Sequence, residues 1–123
     1  MTKIQVGDVI KIFNRHITPA KTKYSLCVSP NLFFLINTEA RTEYECLAIK
    51  KRDNSFLGHD SYISCNFAFL YENVELANAE MIGSVSNNDL QALREHIKNN
   101  VRRLRQQDKD KIVSAIDDEL LSR

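Results

Sequence analysis

No apolar run in this chain exceeds five residues, Leu32 to Ile36 being such a run, whereas a helical bilayer crossing needs about 20. A membrane-spanning helix is therefore not expected. The opening Met1-Thr-Lys-Ile-Gln-Val-Gly7-Asp8 lacks a long apolar stretch behind a positive cluster, so no secretory signal is expected. Cysteine is sparse: Cys27, Cys46 and Cys65, an odd number with no Cys-x-x-Cys pair. That spacing supports neither a zinc site nor a disulfide framework. Each lies in an apolar or strand-like stretch and reads as a reduced thiol filling a core position. Reduced thiols imply a cytoplasmic home. Three scattered histidines without paired carboxylates at ligand spacing give no reason to expect a metal, and no cofactor is expected. Repeats and low-complexity segments are also missing.

What remains is an ordinary globular composition, 43% apolar and 27% charged over 123 residues, enough for one core in one domain. Residues 1–123 are expected to form a single domain, about 1–72 a small antiparallel β-barrel or curled sheet and 86–121 helical. The net charge of +1 is unevenly spread: residues 1–65 carry nine Lys/Arg against six Asp/Glu, and residues 66–123 eight against ten. The clearest basic run is Lys11, Arg15, His16, Lys21 and Lys23, with no acid between Asp8 and Glu39. Such a run can hold phosphates or can be a solvated loop, and charge alone leaves both open.

Gly7-Asp8 opens a strand, Val9 to Phe13, and Tyr24 to Val28 restarts extended structure after a polar loop. Leu32 to Ile36 reads as a strand buried on both faces, too short for a helix and rich in β-formers. A polar turn over Glu39 to Thr42, a strand over Tyr44 to Ile49 and a charged loop over Lys50 to Ser55 follow. His59 to Phe69 is β-prone. Four or five short strands with frequent turns favour a small barrel over a βαβ fold. Asn73 to Met81 reads as one short helix and Gly83 as a stop. Ser86 to Asp89 has the form of a capping box. Leu90, Leu93, Ile97, Val101 and Leu104 then mark one apolar helical face. Ile112, Ile116 and Leu120 continue in phase, as one long helix or as a second helix capped by Asp108. That second stripe needs an apolar cover, for which self-association or a partner is one source.

His59, Asp60 and Ser61 are the residue types of a nucleophilic triad, but neighbours on a strand point to opposite faces and cannot form one. No Gly-x-Ser-x-Gly elbow is present either. RNA cleavage through the substrate's own 2′-hydroxyl asks for less: a base, an acid, and a cation or donor for the charged transition state. His59 suits acid–base work near neutrality, although a histidine bonded to backbone at a strand start is the plainer reading. Thr38 and Arg41, on the turn after the buried strand, could supply a donor and a cation.

The order of Gly7-Asp8-Val-Ile, Lys23-Tyr-Ser-Leu-Cys-Val-Ser29, Ile36-Asn-Thr38, His59-Asp60 and Gly83-Ser-Val-Ser86 before an amphipathic helix resembles the PemK/MazF family, toxins of type II toxin–antitoxin systems. The resemblance covers about residues 7–104. It implies an SH3-like antiparallel barrel, usually a homodimer, that cuts single-stranded RNA without metal and is inhibited by an antitoxin protein. By this resemblance Thr38 matches the catalytic hydroxyl and Asp60 the acid after the catalytic region. Lys11, Arg15, His16, Lys21 and Lys23 fall in or beside the loop over the RNA groove. The chain departs from the family in having no Arg near Gly58-His59, and in carrying Lys23-Tyr24 where the family has Arg-Pro. The expected catalytic set is therefore His59, Thr38, Arg41 and Asp60, with His59 and Arg41 substituting for the missing Arg and Asp60 orienting His59 or the neighbouring turn. The alternative is a non-catalytic RNA- or protein-binding module on the same scaffold.

Overall fold

Short runs of β-formers separated by polar turns give strands, and the computed structural model, which describes residues 3–123, follows that pattern. Six strands form: β1 (Asp8–Asn14), β2 (Lys21–Ser29), β3 (Leu32–Asn37), β4 (Leu47–Ile49), β5 (Ser61–Leu70) and β6 (Glu80–Ser84). All pairings are antiparallel, in the order β4-β5-β3-β2-β1-β6. The sheet curls into a half-barrel and is followed by helices at the C-terminal end. A short helix, α1 (Asn73–Leu76), lies between β5 and β6, and the C-terminal helices are α2 (Asn87–Asn99) and α3 (Gln106–Ser122).

The turn between β2 and β3 is Pro30-Asn31. Proline presets the first central position, and Asn31 takes the left-handed conformation (φ 64°) at the second, the preference of a type II turn. Asn31 also donates from Nδ2 to the Tyr71 carbonyl at 2.8 Å, tying this turn to the end of β5.

Alternation along the central strands divides the apolar residues between two layers. Val9, Leu26, Val28, Phe34 and Ile36 join Ile63, Leu90, Leu93, Ile97, Ile112 and Ile116 in the main core, between the sheet and α2 and α3. Ile10, Ile12, Cys27, Phe33 and Tyr71 form a smaller cluster on the other face. β3 is thus covered on both sides, as its uninterrupted apolar run requires. Full burial of side chains such as Phe34 or Leu93 contributes about 1.5–3 kcal/mol each by transfer from water.

The C-terminal stripe does not form one helix. Residues 100–105 break it, and Glu45 holds the break by accepting the Arg102 amide at 2.7 Å and the Arg103 amide at 2.9 Å. Asp108 is not the cap of α3; Arg105 occupies that position, and Asp108 is buried and accepts from the Arg105 guanidinium at 3.2 Å. Ile112 and Ile116 are wholly buried against the chain's own sheet. The second stripe therefore needs no outside cover.

Three other expectations change. The strand expected over Tyr44 to Ile49 is only Leu47–Ile49, because Tyr44 ends a 3-10 turn and Glu45 takes the left-handed conformation (φ 50°). Asn73 to Met81 is not one helix: α1 ends at Leu76 and β6 starts at Glu80. Gly83 is no stop but a strand residue opposite Val9, where an added Cβ would lie 2.5–2.8 Å from the Phe56 side chain. The Ser86 cap forms, with Oγ accepting the Asp89 amide at 3.1 Å. Its reciprocal arm is supplied from elsewhere, since the Ser86 amide donates to Asn54 Oδ1 at 3.0 Å. Asn54 Nδ2 also donates to Asp89 at 2.6 Å, so buried Asn54 fastens the loop before β5 to the start of α2.

Candidate functional site

On the sheet face away from α2 and α3, alternate residues of three strands converge on a groove of about 550 Å³. β2 contributes Lys21 and Lys23, β3 contributes Leu35 and Asn37, and β5 contributes Ser64 and Asn66. The same register that sends Phe34 and Ile36 into the main core sends Leu35 and Asn37 here. Thr38, Glu39 and Arg41, just past the end of β3, close one side, and Ile17 and Thr18 of the β1–β2 loop close another.

A chain of polar contacts crosses the groove. Lys23 Nζ donates to Asn37 Oδ1, and Asn37 Nδ2 donates to Ser64 Oγ at 2.7 Å. Cys46 Sγ lies 3.9 Å from Ser64 Oγ and donates to the Arg41 carbonyl at 3.6 Å. This sequence of contacts fixes the rotamer of Lys23 and supports the turn carrying Arg41. Partial burial, reinforced by the neighbouring Lys21 charge, lowers the Lys23 pKa from its ordinary value; both effects disfavour the ammonium form. An approaching anion would reverse that penalty. Arg41 is half exposed, 3.9 Å from Glu43 and with its guanidinium 5.6 Å from the Tyr44 ring centre.

Four of the nine residues singled out in the sequence therefore line one groove: Thr38, Arg41, Lys21 and Lys23. His16 stands at its edge, its ring stacked on Phe69 at 6.3 Å between centres. The others do not line it. Lys11 lies on β1 opposite Tyr24 and Glu80. Arg15 is 3.8 Å from both Glu72 and Glu75, so its charge is shared with the acids around α1.

His59 and Asp60 belong to the loop entering β5 and are absent from the groove lining. Asp60 accepts the Lys51 amide at 2.9 Å and so closes its own loop. His59 is exposed, with Nδ1 3.1 Å from the Asp60 carbonyl and 3.4 Å from Ser61 Oγ. The plainer reading of a strand-start histidine, bonded to nearby backbone, describes this geometry.

Asn37, Ser64, Phe67 and Phe69 also line the groove and were not singled out from sequence. Asn37 adjoins Thr38, and Phe67-Ala-Phe69 puts two rings on one strand face, a signal hidden inside a generally β-prone run. A larger cleft of about 860 Å³ runs between residues 3–6, α1 and α3, and contains none of the nine. Its one thiol, Cys27, is pushed up to about 12 by burial, with a smaller push from the Asp8 charge. It is therefore a poor nucleophile at neutral pH.

Among the described residues no three His, Cys, Asp or Glu side chains are grouped to hold a metal ion, and no helix is long and apolar enough to cross a membrane. No protein-family model, curated protein or solved structure matches the chain.

Proposed function

We propose that this protein is a PemK/MazF-like endoribonuclease that takes single-stranded RNA into the groove between the β1–β2 loop and the end of β3. The observation that carries the reading is the gathering of Lys21, Lys23, Arg41 and Thr38 around one groove whose lining includes a single carboxylate, that of Glu39. Such a lining favours a polyanion, because phosphate contacts by Lys and Arg release counterions and dominate nucleic-acid affinity.

In this reading Lys21 and Lys23 hold the backbone on either side of the scissile phosphate. The 2′-hydroxyl oxygen attacks the adjacent phosphorus, a 2′,3′-cyclic phosphate forms, and the bond to the 5′-oxygen of the next nucleotide breaks. Arg41 and the Thr38 hydroxyl stabilise the charge that develops on the phosphoryl oxygens. The proton leaving the 2′-hydroxyl goes to the Glu39 carboxylate, because His59 lies outside the lining. Lys23, whose ammonium the bound phosphate keeps charged, donates a proton to the leaving 5′-oxygen. The resemblance extends the proposal to a homodimer and an antitoxin partner. The stripe on α3, being buried in the chain's own core, is the contact surface for neither.

The test is cleavage of a labelled single-stranded oligoribonucleotide by purified protein in the presence of a metal chelator. Thr38→Ala and Glu39→Gln should each slow cleavage by about 10²–10⁴-fold, while His59→Ala leaves it unchanged. Loss in His59→Ala with retention in Glu39→Gln would refute the assignment of the base. Binding without cleavage would favour the second reading, a non-catalytic RNA-binding module. That reading has its own support: no histidine is among the lining residues.

A further inference from the structure

β5 is longer than the stretch of β3 that it faces. Phe33 pairs with Phe69 and Leu35 with Ser64, so one residue of β3, Phe34, stands opposite four of β5, Cys65 to Ala68. A bulge of this kind bends the strand and re-aims its side chains. Here it carries Asn66 and Phe67 to the groove lining and leaves Phe67 57% exposed. Phe67 meets Phe69 edge-on, with ring centres 4.8 Å apart and planes at 66°. Phe69 also stacks with His16, the planes 27° apart.

A single exposed phenylalanine is unremarkable. Three rings in contact, along the groove that Lys21, Lys23 and Arg41 line, are a different matter. The flat apolar surface is left in water beside cations, and the ligand that satisfies both carries an anionic backbone and π-faces together. Unpaired nucleotides have that chemistry. A duplex has its bases stacked on one another and offers only the backbone.

We propose that Phe67, Phe69 and His16 form a stacking ledge that grips one unpaired nucleobase of the strand lying in this groove. The inference rests on the RNA-binding reading above and adds to it the residues that hold a base. Phe67 presents the open ring and takes the base. Phe69, half-buried against the smaller core, is its support, and His16 flanks it at the loop.

The test uses fluorescence anisotropy at one fixed salt concentration with three probes of equal length: a mixed-sequence oligoribonucleotide, the same strand annealed to its complement, and an abasic ribose-phosphate strand. Wild-type protein should prefer the first. Phe67→Ala, at an exposed position, should weaken binding of that strand by about 5- to 150-fold and leave the abasic strand unaffected, and Phe67→Trp should restore it. Equal single-strand affinity in wild type and Phe67→Ala overturns the ledge while leaving the RNA groove intact. An equal loss on the abasic strand also overturns it, by showing a general disturbance of the groove. If the wild type binds none of the probes, the RNA-binding reading falls and the ledge with it. Loss of self-association in Phe67→Ala with RNA binding unchanged would instead make the ledge a protein interface, and the proposal would be wrong.

Discussion

Asn14 and Tyr71, 57 residues apart in sequence, meet in the smaller apolar core, where Asn14 Nδ2 donates to the Tyr71 hydroxyl at 3.1 Å. Ser25 Oγ lies 3.0 Å from the same hydroxyl. Asn14 spends its remaining amide atom on the loop, with Oδ1 accepting the His16 amide at 2.8 Å. One buried side chain thus couples the core beneath the sheet to the loop that carries His16 to the groove.

Removing the hydroxyl in Tyr71→Phe leaves Asn14 and Ser25 short of a partner inside the protein. The expected loss is about 1–3 kcal/mol, read as a lower denaturant midpoint with an unchanged slope. Burial raises the Tyr71 pKa, with partial opposition from the Ser25 and Asn14 hydrogen bonds. A raised pKa in the folded state means stability that is intact below the unfolded value, about 10, and is lost as pH rises beyond it. Tyr71→Phe should be the less alkali-sensitive protein relative to its own neutral-pH stability. Equal alkaline profiles would contradict the coupling.

Glu45 gives the opposite sign. Desolvation pushes its pKa up, but the Arg103 and Arg102 amides, with the Arg103 and Lys109 charges, prevail and hold it below the usual carboxylate value. Its stabilising effect is therefore complete above the unfolded pKa and disappears as pH falls through the folded one. Glu45→Gln should be destabilised by about 1 kcal/mol at pH 7, in the range of a lost helix cap. The gap to wild type should close in acid. Thermal melts at pH 7 and pH 3 check both statements.

Gly83→Ala places a methyl group against the near end of the Phe56 side chain, where rotation about the ring gives little relief. Overpacking of this kind costs about 1–3 kcal/mol. Pairing it with Phe56→Ala should recover part of that loss in a double-mutant cycle. Additive losses would show that the two residues do not press on one another.

Thiol labelling separates the three cysteines. Burial raises Cys65 far above the ordinary range, with smaller contributions from Cys46 and Glu45, and Cys27 is likewise held up by burial. Cys46 is only half-buried. Brief alkylation of the native protein at pH 8 should modify Cys46 alone, and Cys27 and Cys65 should react only after denaturation. Peptide mapping by mass spectrometry distinguishes these outcomes. Rapid native labelling at Cys65 would contradict its place in the main core.

Much of the scaffold could be read locally. Leu32 to Ile36 is apolar at every position and becomes a strand covered on both faces. Leu90, Leu93 and Ile97 recur at helical spacing and become the buried side of α2. The division of the C-terminal stripe was not readable, because both helices keep one phase and the break is held by Glu45, more than 50 residues upstream. Nor was β6. Glu80 to Ser84 is short, carries a glycine, and is a strand because β1 leaves an edge open for it.

For the groove, residue type identified Thr38, Arg41, Lys21 and Lys23, since hydroxyl donors and cations declare their chemistry wherever they stand. His59 was chosen on the same ground, yet it faces its own loop. Phe67 is not legible in the same way, because it enters the groove through a bulge, and a bulge is created by the mismatch between two paired strands.

The sequence by itself determined the kinds of element present, which faces are apolar and where cations are concentrated, because hydrophobic periodicity and side-chain chemistry are local properties. Only the tertiary structure decided which polar residues share a groove, which helix face is already covered and which aromatic ring stays in water. Those outcomes depend on strand register and on partners distant in the chain, and neither is written in any one segment.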